Sequence, residues 1–334
     1  MDRIRTAIVG MGKMGKLRAE VMARHGGFDV VAACDIVDGY DYTDWKACLE
    51  EAKPEAVFVC AINNVMADIV CYGLERGVNI FCEKPPGRNL AETLRMEQAH
   101  KKGNAVLKFG FNHRYHNSVL EAKALLDSGL LGKIACIRGI YGKAGSETFD
   151  IEWRNNPELS GGGILIDQGI HMLDLMLYFV GDLFVEYSSV DRLVWDNIQT
   201  EDSVFAMMRS PDRKVAMLHS SALQWKHKFD MDLMLTDGYI ALNGFYTSTR
   251  SYGEERITYY EKDLSMETGK IGCPTEHTMC FDIDNSWDYE IAEFYDAVRS
   301  GTPIINGTID DAIKVMRLVE DIYSSGARIK EALP

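Results

Sequence analysis

The sequence predicts an α/β protein: an N-terminal, doubly wound parallel sheet of the Rossmann type, followed by an α+β domain on a large, mostly antiparallel sheet. Three observations predict it. In the first third, short continuous apolar runs alternate with helical patterns, the rhythm of a parallel sheet covered on both faces. A glycine turn of the form G-x-G-x-x-G stands between the first apolar run and the first helix. Past about residue 180, strand patterns follow one another directly, as in a meander of hairpins. The 334 residues suit two domains, and the change of rhythm divides them into 1–118 and 119–334.

In chain order, strands are expected at Ile4–Val9, Val30–Cys34, Ala56–Ala61, Val78–Cys82 and Ala105–Phe109. Helices are expected between them at Met14–His25, Trp45–Lys53, Val65–Arg76 and Leu90–Lys102. Asn89 and Glu92 form a capping-box-like pair at the start of the last. A helix at Asn117–Ser128 and a strand at Lys133–Tyr141 open the second domain, and a helix follows at Ile164–Val180. Strands are then expected at Phe184–Leu193, Ser203–Arg209, Val215–Ala222, Met231–Leu235 and Tyr239–Leu242. Asp237-Gly238 signals a type I′ hairpin between the last two. Helices at Tyr289–Arg299 and Ile309–Ser324 close the chain.

Hydrophobic residues make up 46% and charged residues 26%, enough apolar material for sizeable cores. No apolar run approaches the roughly 18 residues of a membrane span, and Met1–Val9 lacks the build of a signal peptide. A cytoplasmic protein is expected. The eight cysteines form no C-x-x-C pair and no zinc spacing, so they are expected as reduced thiols with no metal. A net charge of −14 argues against nucleic acid or an anionic membrane as partners.

Gly10-Met-Gly12-Lys13-Met14-Gly15 follows a strand and opens a helix, the setting in which this motif binds a dinucleotide. The first glycine makes the tight turn, the second lets a pyrophosphate approach the backbone, and the third allows close helix–strand packing. The free N–H groups of the helix N-terminus favour the anion. Twenty residues past Gly15 stands Asp35, placed to accept hydrogen bonds from the adenosine ribose. Its carboxylate would repel a 2′-phosphate, and Ile36 and Val37 offer no cation to hold one. The cofactor expected is therefore NAD.

Strand Val78–Cys82 runs into Glu83-Lys84-Pro85-Pro86, at a sheet edge where open α/β folds bind ligands. A lysine fixed there by a proline can meet a substrate oxygen. Farther on, Asp167, His171 and Asp174 are spaced so that one helix face carries all three, within an otherwise apolar helix. Trp153 and Arg154 precede the triple glycine Gly161-Gly-Gly163, and Gln224-Trp225 follows a strand; an aromatic face with polar neighbours suits a sugar ring.

Together Gly10–Gly15, Glu83-Lys84-Pro85, Gly110-Phe-Asn-His-Arg114-Tyr and Gly161-Gly-Gly163…Asp167-Gln-Gly169…His171…Asp174 resemble the glucose–fructose oxidoreductase / inositol dehydrogenase family, from the N-terminus to about residue 180. The resemblance implies substrate bound between a Rossmann domain and a C-terminal sheet domain, and a cis peptide at Lys84–Pro85. It also implies Lys84, Asp167 and His171 as the catalytic group, with Arg114 a substrate contact. The residue types agree with that chemistry. Removing a hydroxyl proton as hydride leaves carbon suits an imidazole, whose ordinary pKa is about 6.5. An ammonium beside the same oxygen stabilises developing alkoxide, and a carboxylate can orient substrate and favour the imidazolium. Where the family carries Thr-Pro-Asn-x-x-His near the nicotinamide ribose, this chain has Ala61-Ile62-Asn63-Asn64-Val65-Met66, so Ala61, Ile62 and Asn63 are expected cofactor contacts of altered type. Ile36, Glu83 and Lys84 are also expected cofactor contacts.

The expected activity is hydride transfer between NAD and a secondary carbinol of a sugar, cyclitol or nucleotide-linked sugar. Two other functions fit the same residues: a redox-neutral sugar conversion with retained, recycled NAD, and a non-catalytic dinucleotide sensor. A homodimer or homotetramer joined through the C-terminal sheet is expected, with Phe205, Met207 and Met217 on its outer face.

Overall fold

The computed structural model describes residues 3–247, 249–264 and 272–332. The chain divides into two compact units. The first comprises residues 1–112, 156–161 and 287–317; the second comprises 113–155, 162–286 and 318–334.

The first unit is a five-stranded sheet, every adjacent pair parallel. Its elements are β1 (Ile4–Val9), α1 (Lys13–His25), β2 (Phe28–Cys34), α2 (Trp45–Ala52), β3 (Ala56–Val59), α3 (Asn63–Leu74), β4 (Asn79–Glu83), α4 (Leu90–His100) and β5 (Leu107–Gly110). The order β2-β1-β3-β4-β5 reverses direction between β1 and β3. Ligands bind outside the carboxyl ends of the strands at such a reversal. A continuous apolar run forms β3 because both of its faces are covered, and all four residues of β3 and of β5 are buried, Lys108 of β5 with its ammonium on Glu293 at 2.8 Å. Asn89 caps α4 by accepting from the Glu92 N–H.

Helix α8 (Ser286–Ser300), read from the sequence as part of the chain's closing pair, packs in this first unit. Its Ile291 and Phe294 are fully buried in a cluster with Ile4, Ile8, Phe58 and Phe81. Phe58 and Phe81 stack at 4.7 Å, and Phe294 meets both edge-on. Arg18 is buried beside this core, paired with Glu83 at 2.6 Å and Glu290 at 2.7 Å.

The second unit is built on an eight-stranded mixed sheet in the order β13-β12-β11-β10-β6-β9-β8-β7. Helix α5 (Asn117–Ser128) and β6 (Ile134–Gly142) lead into it, and the short α6 (Pro157–Ser160) belongs to the first unit. Helix α7 (Ile170–Val180) is followed by β7 (Phe184–Asp191), β8 (Ser203–Arg209), β9 (Val215–Ser221), β10 (Lys228–Leu235), β11 (Gly238–Asn243), β12 (Glu255–Glu261) and β13 (His277–Phe281). Every adjacent pair is antiparallel except β6 with β9. Helix α9 (Ile309–Ala332) ends the described chain.

Two sequence expectations are corrected. The β10–β11 hairpin forms, but neither Asp237 nor Gly238 has the positive φ of a type I′ turn. Instead the Thr236 and Asp237 N–H groups donate to the carbonyls of Lys133 and Leu131, which fixes a wider turn. Segment Pro157–Val180 does reach the length and mean apolarity of a membrane span, with 72% of its apolar window buried. It is divided between α6, a glycine turn, a π-helical turn at Leu165–Gly169 and α7. All eight cysteines are free thiols.

Candidate active site

In the first unit, the functional residues follow the carboxyl ends of parallel strands and therefore share one sheet edge. Gly10 follows β1 with φ 94°, and a Cβ there would press on the Cys60 carbonyl at 2.5 Å. A Cβ on Gly15 would overlap the Gly10 carbonyl. Gly12 differs: nothing lies within 4 Å of its Cβ position. The turn is thus closed on its protein side and open at the one glycine that a pyrophosphate must approach. Lys13 and Met14 begin α1, whose first turn carries no acidic residue to oppose an anion.

Asp35, just past β2, accepts from the Met11 N–H at 2.6 Å, tying this carboxylate to the glycine turn. Its other oxygen accepts from Val37 N–H at 3.2 Å. Ile36 is 86% exposed, and Asp38 follows, so the segment after β2 is acidic and apolar. The glycine turn and this segment fit a dinucleotide.

Past β3, Ala61 and Ile62 are half-buried, while Asn63 is buried and donates from Nδ2 to the Ser160 carbonyl at 2.8 Å. Asn63 therefore fastens α6 beside the sheet edge. Glu83 is also buried, and Arg18 takes its carboxylate, so the side chain anchors the end of β4. Lys84 follows it, half-buried, and the Lys84–Pro85 peptide is cis.

In the second unit, Asp167 sits in the π-helical turn and His171 in the first turn of α7. The turn lies close against the sheet because the facing residues are small: a Cβ on Gly169 would stand 2.8 Å from the Ser220 hydroxyl, which itself donates to the Ile164 carbonyl. Asp167 accepts from Lys143 on one oxygen and from Arg154 Nε, at 3.2 Å, on the other. The Arg154 guanidinium lies over the Trp153 ring at 4.6 Å. His171 is 5% exposed and stacks on His113 with centroids 3.7 Å apart. His113 Nε2 is 2.9 Å from the Tyr141 hydroxyl, and the Tyr141 ring is 6.2 Å from His171. Burial pushes the Tyr141 phenol well above its ordinary value and that of neighbouring Tyr252 up to about 12. Both stay neutral hydroxyls at physiological pH. The cluster thus offers one carboxylate, two imidazoles, two cations and two phenols.

The expected single stripe of Asp167, His171 and Asp174 separates. The π-helical turn inserts an extra residue per turn, a distortion frequent at functional sites. Asp167 turns to Lys143 and Arg154, while Asp174 is fully buried with both oxygens on Arg114, at 2.6 and 2.9 Å. Arg114 is 3% exposed and forms this ion pair, which holds the 112–115 turn on α7. Lys143, Tyr141, His113 and Tyr252 were missed by sequence reading. Lys143 and Tyr141 carried a usable signal, since they flank the end of a predicted strand; Tyr252 carried none. Among the described residues, no group of three or more His, Cys, Asp or Glu side chains is placed to hold a metal ion.

A Rossmann unit with a closed glycine turn and a carboxylate bonded to that turn, in one chain with a large mixed sheet carrying this polar cluster, defines the class of nicotinamide-linked oxidoreductases. Residues 4–111 match the oxidoreductase family with an NAD-binding Rossmann fold, and residues 119–241 match the GFO/IDH/MocA C-terminal domain. The chain belongs to the GFO/IDH/MocA oxidoreductase family. It is 31% identical over 217 residues to the D-glucoside 3-dehydrogenase of Escherichia coli K12, covering 60% of each chain. It is 27% identical over 194 residues to the inositol 2-dehydrogenase of Salmonella typhimurium LT2, covering 54% of this chain and 55% of that one. The matches thus span little more than half the length of these curated relatives. A levoglucosan dehydrogenase solved with NADH and levoglucosan shares the fold, with a TM-score of 0.84 at 20% identity over 98% of this chain and 97% of that one.

Proposed function

We propose that this chain is an NAD-dependent dehydrogenase that moves a hydride between the cofactor and a secondary hydroxyl or keto carbon of a sugar or cyclitol. The observation that carries the reading is the Asp167 carboxylate held by Lys143 and Arg154, with His171 four residues on, in a chain whose other unit is the family's NAD-binding domain. The names of the two curated relatives above, which act on a glucoside and on inositol, support the substrate class. Asp35, followed by Ile36, Val37 and Asp38, favours NAD over NADP.

Oxidising a carbinol removes a hydride from carbon and a proton from oxygen. Bound NAD supplies the hydride acceptor. His171 takes the hydroxyl proton, a role suited to an imidazole. Lys84 stabilises negative charge on the reacting oxygen. Asp167 orients the substrate and favours the imidazolium, and Lys143 and Arg154 hold that carboxylate in place. Trp153 and Arg154 contact substrate at the edge of the cluster. Arg114 enters as the partner of Asp174 rather than as a substrate contact.

The test is NADH formation across sugars, inositols and nucleotide-linked sugars, with NADP run in parallel. His171→Ala is expected to lose about 10²–10⁴-fold in kcat while keeping NAD affinity, and Lys84→Met to abolish turnover. Near-normal kcat in His171→Ala would refute its role. Sugar conversion without net NADH would point to recycled NAD, and NAD binding without turnover of any compound to a sensor.

We further propose a cytoplasmic homodimer or homotetramer joined through the outer face of the large sheet, with no nucleic acid or membrane partner. Phe205, Met207 and Met217 are all more than one-third exposed on neighbouring strands of that face, an apolar area that a second copy would cover. A monomer mass by light scattering at micromolar concentration would overturn the assembly.

A further inference from the structure

One cleft of the second unit is not used by the chemistry above. It has a volume of about 510 Å³ and is lined by the 144–147 segment, Asp150, the 194–197 segment and Trp225. Two of its lining residues are tryptophans, Trp195 and Trp225, with ring centroids 6.0 Å apart. Every charged residue in the lining (Glu147, Asp150 and Asp196) is acidic.

The aromatic walls are built rather than incidental. Trp225 is 64% exposed, yet its backbone holds φ 50°. That left-handed conformation is a genuine outlier for a bulky residue, and such outliers persist where the surroundings fix them and cluster at binding sites. Trp195 is held from two sides. Its indole Nε1 donates to the Ala222 carbonyl at 3.3 Å, and the ring lies against Phe149 at 4.8 Å. Gly145 leaves room for it, since a Cβ there would overlap the indole edge. The fully buried Asp202 accepts from the backbone N–H groups of Leu193, Val194 and Trp195, at 2.9–3.0 Å, and so fixes the loop that presents the ring.

The cleft also adjoins the reactive cluster along the chain. Lys143, which holds Asp167, is followed by Ala144 of the lining. Gln224, whose N–H donates to the Lys143 carbonyl at 3.2 Å, is followed by Trp225.

We propose that this cleft is a subsite for the second ring of a neutral glycoside, binding the ring attached to the sugar that is oxidised. The inference rests on the dehydrogenase reading above and names its substrate class. A sugar ring has apolar C–H faces that lie on an aromatic surface and hydroxyls that donate to carboxylates and to an amide oxygen; Trp195, Trp225, Asp150, Asp196 and Asn197 present those partners. Three acids with no cation in the lining oppose a phosphate, so a nucleotide-linked sugar does not place its diphosphate here.

The test compares glucose, cellobiose and UDP-glucose by two readouts, calorimetric binding to the NAD-loaded protein and NADH formation. Wild-type protein is expected to bind cellobiose at least about tenfold more tightly than UDP-glucose. Trp225→Ala should lose about tenfold in cellobiose affinity, the worth of one aromatic face, and leave glucose unchanged. Trp195→Phe, which keeps an aromatic ring, should lose less. Because Trp225 is exposed, its replacement leaves the fold intact, and an unchanged melting temperature verifies that. Equal loss for glucose and cellobiose, no loss for either, no cellobiose binding, or preferred binding of UDP-glucose each overturns the subsite. Cellobiose binding that depends on Trp225, without NADH from any sugar, would uphold the subsite and refute the dehydrogenase reading.

Discussion

Glycine crowds two turns of this chain, Gly10–Gly15 ahead of α1 and Gly161–Gly163 ahead of the π-helical turn, and a methyl group added at each position would meet different things. At Gly161 it would overlap the Arg88 backbone, at Gly162 the Tyr323 hydroxyl, and at Gly163 the Glu201 carbonyl. At Gly10 and Gly15 it would also overlap backbone. At Gly12 it would meet nothing within 4 Å. Five of these six glycines are therefore required by the protein's own packing, and one is left open to an approaching ligand. A glycine-rich turn is in itself no mark of a binding site; Gly12 stands apart because neither packing nor a positive φ calls for glycine there.

The comparison is sharpest at Gly163 and Gly12. Gly163→Ala forces its methyl group against the Glu201 backbone and Thr200, with both sides fixed by hydrogen bonds. A cost at or above the roughly 1–3 kcal/mol of ordinary overpacking is expected. The melting temperature should fall, and NAD affinity of the folded fraction should hold. If Gly163→Ala melts like wild type, the second turn is not a packing turn.

A smaller effect of opposite character is expected at Gly12. Its φ of −67° suits alanine, and open space surrounds the new methyl group. The unliganded stability should stay within about 0.5 kcal/mol of wild type, the range of harmless surface changes. NAD affinity should fall about tenfold, a loss of close approach worth roughly 1.4 kcal/mol. Calorimetry reads both quantities on one sample. Unchanged affinity would mean that the pyrophosphate does not lie on Gly12.

The two turns were not equally legible in the sequence. Gly10–Gly15 and Asp35 were readable because the strand, turn and helix that give them meaning are contiguous, and the Met11–Asp35 hydrogen bond joins two strand ends that any parallel sheet brings together. The second turn takes its shape from Glu201 and Tyr323, which are distant in sequence and announce nothing locally. The same holds for Asp167. Its spacing to His171 was visible, but Lys143 becomes its partner only once β6 ends beside the π-helical turn. The π-helical turn itself is what parted Asp167 from Asp174, and a regular 3.6-residue period gives no hint of it. Strand β12 had an alternating pattern, Glu-Arg-Ile-Thr-Tyr-Tyr-Glu, that sequence reading passed over. Edge strand β13 has no buried residue and so little apolar signal to read.

The last and smallest expected effect is a dependence on pH carried by the second turn. Glu201 accepts from the Gly163 and Leu165 N–H groups at 3.0 Å and from the Tyr323 hydroxyl at 2.8 Å. Burial raises its pKa above the ordinary glutamate value of 4.5, and those hydrogen bonds, which favour the carboxylate, offset burial only in part. The sign follows from linkage. A carboxyl that holds its proton more tightly when folded stabilises the fold below its unfolded pKa, and that contribution is lost as pH rises through the folded value. Glu201→Gln keeps an acceptor for Leu165, Gly163 and Tyr323 but has no proton to lose. Glu290 in the first unit, raised to about 7 by burial, imposes the same direction on wild type and variant alike. The informative quantity is therefore the difference between them. From pH 5 to 8 the wild-type melting temperature should fall relative to that of Glu201→Gln. A difference that holds constant across that range, or widens in favour of wild type, would show that the N–H groups of the turn outweigh burial. The second glycine turn would then be an anion cradle filled by the protein's own carboxylate.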